Sequence, residues 1–221
     1  MKRIMILFAA VFSLIWGGCS DPFENQAFRE TDKMPAASYM EANSSTYSLW
    51  VDLLNYTGLF NTVNLKMDYT CFVPDNDAMS AFLQKKGISS VQGLNKEEAA
   101  NLVRYHTIAS HQYTSSDFSD GMFPDSTASG DYLSLDMRDG GLEAMYINNE
   151  ARIKRLNTMT TNAVIHTLES VLTPVTGMIV DNLGEEFSFM KNLLEVTGYK
   201  DMLSTLYVND VKRRYTLFAV P

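Results

Sequence analysis

One helix-to-strand phrase occurs twice in this chain, and the recurrence limits the folds open to it. "SLWVDLLNYTGLFNTV" (residues 48–63) aligns with "SFMKNLLEVTGYKDML" (188–203), matching Ser48 with Ser188, Leu53 with Leu193, Leu54 with Leu194, Thr57 with Thr197 and Gly58 with Gly198. After spacers of unequal length, "YTCFVP" (69–74) is answered by "YTLFAVP" (215–221). Self-similarity at a fixed shift is the mark of tandem units, and a shift of 140 residues is the size of one domain. From Pro74 the first copy runs on into more helices and strands, whereas the second stops at Pro221. The expectation is one full domain followed by a truncated second copy.

Periodicity places the elements of the first copy. In "STYSLWVDLLNYTG" the residues Leu49, Trp50, Leu53 and Leu54 fall on one helical face, and Gly58 suits the left-handed position that ends a helix. "MDYTCFVP" reads as a strand stopped by Pro74, after which Asp75 or Asp77 caps a helix that Gly87 closes. "NKEEAANLVRYHTI" is a third helix with Asn95 as cap and with Ala99, Leu102, Val103 and His106 inward. Beyond Ser110, Gly and Pro separate the short runs "DYLSLDM", "EAMYINN", "ARIKRLN" and "AVIHTLE", which predicts a mostly antiparallel sheet. Helices first and strands later is an α+β layout.

Three phrases in this order resemble the fasciclin (FAS1) domain. They are "YTCFVPDNDAMSAF" (69–82), "LVRYHTI" (102–108) and "TNAVIHTLESVLTP" (161–174). The sequence departs from the family pattern at Cys71, where an aliphatic residue is usual, at Asp75 in place of Thr or Ser, and at Ala163 in place of Gly. Ala163 fits only if the backbone there avoids positive φ. The resemblance implies a β-wedge of about seven strands with helices along one edge. It also implies a non-catalytic role in extracellular adhesion or protein contact, and it singles out Tyr105 and His106 as a candidate receptor contact.

The N-terminus carries a different signal. A cationic "MKR" precedes the short apolar run "IMILFAAVFSLIW" and then Gly17, Gly18 and Cys19. The run has the length of a secretion-signal core and is too short to span a bilayer. Small residues just before a cysteine resemble a bacterial lipobox, although Trp16 stands where Leu is usual; an ordinary signal peptide that happens to contain Cys19 is the alternative. The expected organisation is a signal peptide over 1–18, a lipidated tether over 19–43 starting at Cys19, a fasciclin-like domain over 44–174 and the start of a second over 175–221. Two acyl chains on Cys19 would supply the double anchor that stable membrane attachment needs. With Cys19 acylated, Cys71 has no disulfide partner and reads as a core residue.

The formal charge is −8, and removal of Lys2 and Arg3 with the leader makes it more negative. No basic cluster remains to meet a phosphate backbone, so nucleic acid is not an expected partner. The histidines are His106, His111 and His166, and no HExxH, CxxC or G-x-S-x-G occurs. No metal, cofactor or catalytic residue is therefore expected. The segment "SSDFSDGMFPDSTASGDY" (115–132) sets Phe118, Met122, Phe123 and Tyr132 among small polar residues. Such a mixture makes an adaptable contact surface, unless Phe118 and Phe123 fold back onto the sheet. The expected role is a surface-anchored adhesion or protein/glycan interaction module, at the outer membrane or cell surface. A glycan-presenting accessory of a carbohydrate-uptake system is the alternative, which a flat platform of exposed aromatics would favour.

Overall fold

The structure is a computed structural model, and it describes residues 34–137, 144–174, 177–205, 207–208, 211–213 and 215–221. Cys19, the expected leader and most of the expected tether lie outside the described residues. The chain divides into two compact units, one ending at Val171 and one from Leu172 to Pro221.

The first unit opens with α1 (Ala36–Ala42), α2 (Ser44–Thr57) and α3 (Phe60–Val63). Strand β1 (Tyr69–Pro74) leads into α4 (Asn76–Lys85), a 3-10 turn (Val91–Gly93) and α5 (Lys96–Tyr105). Six strands follow: β2 (Thr107–Ile108), β3 (Gly121–Met122), β4 (Ser134–Met137), β5 (Met145–Ile147), β6 (Ala151–Met159) and β7 (Ala163–Leu168). They form one seven-stranded sheet in the order β2-β1-β7-β6-β5-β4-β3. The four runs expected as strands are β4 to β7, and Ala163 is not among the residues with positive φ.

The sheet is antiparallel except between its second and third strands, where β1 runs parallel to β7 with Tyr69 opposite Ala163 and Pro74 opposite Leu168. Both strands are buried along their whole length. One face sends Cys71, Val73, Ala163 and Ile165 into a core shared with α1, α2, α4 and α5. On the other face Phe72 stacks on His166 and meets Phe123, with centroids 5.5 and 5.6 Å apart. Double-sided burial explains why these strands read as continuous apolar runs and do not alternate.

Local rules set the helix ends. Gly58 takes φ +77° at the end of α2, as its sequence position predicts. Asp75 caps α4 by accepting the Ala78 N–H at 2.9 Å, and Asn95 caps α5 by accepting from Glu97 and Glu98.

The ordered fold begins earlier than expected, and this corrects the tether boundary at residue 43. Helix α1 buries Ala36, Ala37 and Met40, all at most 1% exposed. Its start is held from far along the chain, because the Ala36 N–H donates to Asn162 Oδ1 at 2.8 Å. A helix of seven residues is too short to announce itself by period and depends on such tertiary contacts.

The second unit repeats the opening locally. Helix α6 (Ser188–Val196) is followed by Gly198 at φ +76° and by α7 (Tyr199–Leu203), much as α2 is followed by Gly58 and α3. Thr57 and Thr197 both donate to the carbonyl four residues back, Leu53 and Leu193. Val180, Leu194 and Leu203 form a small core with Met190, Tyr215 and Leu217 against it. Two-residue strands β8 (Tyr207–Val208) and β9 (Val211–Lys212) pair with each other. The strand expected over Tyr215–Pro221 does not form: these residues join no ladder, and Phe218 is 87% exposed. In the first copy the same phrase is a strand because β2 and β7 flank it. The described residues of the second unit supply no counterpart of either.

Candidate interaction site

The Tyr-His pair at the end of α5 lies in the interior. Tyr105 is buried, and its hydroxyl accepts from Asn148 Nδ2 at 2.9 Å. Asn148 sits at φ +53° in the β5–β6 turn, and its own Oδ1 accepts the Ser134 N–H. Tyr105 thus ties α5 to a hairpin. His106 is fully buried, with Nδ1 2.8 Å from the Leu102 carbonyl and its ring 5.0 Å from Trp50. Burial holds its pKa down to about 4, so the ring is neutral at physiological pH. The inward-facing His106 expected from the helical period is what the structure contains. Neither ring is presented at the surface, which corrects their placement as a receptor contact.

His166 is the hub of the opposite face. Its Nε2 lies 2.9 Å from the Tyr113 carbonyl, and its Nδ1 accepts the Asn157 N–H at 3.4 Å. A donor on one side and an acceptor on the other define a neutral ring carrying its proton on Nε2. Burial lowers this pKa also to about 4. Asn157 stands at φ +57°, beside a break in the β6–β7 register. Its side chain exchanges hydrogen bonds with Ser115, at 2.8 and 2.6 Å. The loop after β2 is thereby pinned to the sheet.

That pinning decides the fate of the aromatic loop. Phe123 is buried against Phe72 and Tyr113, and Phe118 meets it edge-on at 83° while leaning on His166. The two rings have folded back and form no flat platform. Tyr132 is half-buried. Met122, on the outermost strand β3, is 68% exposed and points its thioether to solvent. Of the six candidate contact residues, it is the one that is mostly exposed.

A feature missed at the sequence level is a polar pocket of about 410 Å³ lined by Ser45, Thr46, Asp75, Asn76, Asp77, Lys154, Arg155 and Thr167. The "KR" doublet of "ARIKRLN" was its available signal. Lys154 reaches the buried Asp75 carboxylate at 2.6 Å, whose other oxygen is spent on the α4 cap. The Asp75 hydrogen bond and charge raise the Lys154 pKa. With Asp75 doubly committed, it is poorly placed to act as a general base. Cys71 is likewise buried, and desolvation pushes its thiol up to about 12. Among the described residues no cluster of three or more His, Cys, Asp or Glu could hold a metal ion, and no helix is long and apolar enough to cross a membrane.

Comparison with known proteins places this arrangement in a class. The family model of the fasciclin domain matches residues 45–174, and the chain belongs to that family. Stabilin-2 of Rattus norvegicus is 29% identical over 127 residues, 57% of this chain and 8% of that protein. Stabilin-2 of Mus musculus is 26% identical over 142 residues, 64% of this chain and 5% of that protein. This chain therefore spans less than a tenth of either. Protein sll1483 of Synechocystis sp. is 23% identical over 144 residues, 65% of this chain and 76% of its own length. Among solved structures, the FAS1 domain pair of the insect cell adhesion molecule fasciclin I aligns at TM-score 0.40 and 12% identity, over 78% of this chain and 57% of that one.

Proposed function

We propose that this chain is a lipoprotein held through Cys19 in the cell envelope, at the outer membrane or cell surface. Its fasciclin domain is a non-catalytic module that contacts a protein partner. The observation that carries the binding half is the rigid outer edge of the sheet, where Met122 is 68% exposed on β3 while the loop before it is locked down through His166 and Asn157. A preorganised apolar side chain on a sheet edge favours strand-wise or side-chain docking of another protein. The buried titratable groups described above serve the scaffold, which supports a module without chemistry of its own. The glycan-presenting alternative draws support from the polar pocket around Arg155, but the folded-back Phe118 and Phe123 offer no stacking plane.

Two measurements test this. Cys19→Ala should abolish incorporation of labelled fatty acid and release the chain from membranes; unchanged labelling and fractionation would refute the anchor. Particles coated with the chain should adhere to cell or matrix proteins, and Met122→Asp should reduce adhesion by about fivefold or more with the fold intact. Equal adhesion by the variant would move the contact away from β3.

A further inference from the structure

Four exposed apolar side chains lie on segments that meet where the chain enters the first unit. Met34 is 47% exposed, Leu65 54%, Met67 46% and Met159 41%. They come from three segments that converge on one buried residue, Asn162. Its Oδ1 accepts from Ala36, and its Nδ2 donates to the carbonyls of Val63 and Leu65 at 2.8 and 2.7 Å. The Met34 carbonyl accepts the Thr161 N–H at 3.1 Å, and the Tyr69 hydroxyl holds the Met67 sulfur at 3.2 Å. The backbone under the patch is thus fixed by the Asn162 and Met34 hydrogen bonds, and its side chains stay largely exposed, Met67 with its sulfur resting on the Tyr69 hydroxyl. Lys66 stands between Leu65 and Met67, exposed and in no ion pair among the described residues. Asp68, next along, is engaged by Gln112 Nε2 at 2.9 Å.

We propose that this patch lies on the lipid bilayer, with Leu65, Met67, Met34 and Met159 dipping into the interface and Lys66 at the level of the headgroup phosphates. The inference rests on the reading of Cys19 as the lipidated residue. Chain length argues for the bilayer as occupant: residues 20–33 separate Cys19 from Met34, a reach of at most about 50 Å. That stretch joins the first unit at the patch itself, so tethering concentrates this end of the sheet beside the membrane. Apolar side chains flanking an exposed lysine suit the bilayer interface, where the lysine stem lies along lipid and its ammonium reaches the phosphates, while the Asp68 carboxylate is held aside by Gln112. The patch adds a second, weaker hold and fixes which end of the sheet faces outward.

The test uses the full acylated chain in vesicles of phosphatidylethanolamine and phosphatidylglycerol that carry a nitroxide-labelled phosphatidylcholine. A solvent-sensitive fluorophore is placed at Leu65→Cys or, as control, at Asp77→Cys beyond the other end of β1. Acylated Cys19 and buried Cys71 do not compete for the label. Fatty-acid incorporation is measured on the same samples. With Cys19 acylated, the probe at 65 should shift to the blue and be quenched by the lipid nitroxide at least about threefold more than the probe at 77, as interfacial burial requires. Equal quenching with Cys19 acylated overturns the patch and leaves the anchor standing. A blue shift without nitroxide quenching assigns the patch to a second copy of the chain and overturns the bilayer as occupant. Absence of acylation refutes the anchor reading and removes the basis of this one.

Discussion

Acidification should unfold the first unit through its two buried histidines. Both rings are neutral in the fold, with pKa values of about 4 against an ordinary 6.5. In the unfolded chain they titrate near 6.5, so between the two values the unfolded state holds more protons and stability falls as pH falls. Each ring contributes a slope of about 1.4 kcal/mol per pH unit. From pH 7.5 to 4.5 that amounts to roughly 2.5 kcal/mol per histidine and about 5 kcal/mol for the pair, flattening below pH 4. A domain of ordinary stability would lose much of its margin. The assay is urea unfolding followed by Trp50 fluorescence at several pH values. His166→Gln should lower stability at neutral pH by about 1–3 kcal/mol, because the Asn157 N–H loses its acceptor. It should also reduce the slope between pH 6 and 4.5 by about one proton. Parallel pH profiles for wild type and variant would refute the reasoning. So would a folded-state imidazole NMR titration with its midpoint near 6.5.

Asn162→Ala removes three long-range hydrogen bonds at once and should destabilise the unit by about 2–4 kcal/mol in chemical denaturation; a loss below about 1 kcal/mol would show that α1 is not held from that residue. Asp75→Ala loses both the α4 cap and the Lys154 pair and should cost about 1–2 kcal/mol. Asp75→Asn, which keeps the capping oxygen, should recover at least half of that in thermal denaturation, and equal losses would assign the effect to the ion pair.

Much of the first unit was legible because its signals are local. Gly58 ends α2, Asp75 caps α4, and the apolar spacing of α5 turned His106 inward, all rules that act within a few residues. The family phrases fixed the order of the elements. What sequence reading did not reach depends on residues far apart. The parallel pairing of β1 with β7 joins segments almost a hundred residues distant. Helix α1 becomes stable only when Asn162 caps its first amide. The fate of Phe118 and Phe123 was left open because composition alone does not say that His166 and Asn157 would draw the loop inward. The polar pocket was invisible for the same reason: Lys154 and Asp75 meet across the fold. The repeat was legible as helix and turn but not as strand, since a strand's identity lies in its neighbours.

The parallel pair also bears on the order in which the domain can assemble during synthesis. β1 is made before every other strand of the sheet, yet its long partner, β7, ends only at Leu168. Until then the growing chain can form helices and the β4–β5 hairpin, but β1, paired only with the two-residue β2, has one long edge bare. A nascent chain crossing a membrane in extended form would meet the same delay on the far side. Non-local closure of this kind is slow and leaves an unpaired strand edge with apolar side chains open to the wrong partners. A chaperone that shields "YTCFVP" until "AVIHTL" arrives would therefore act on this slow closure.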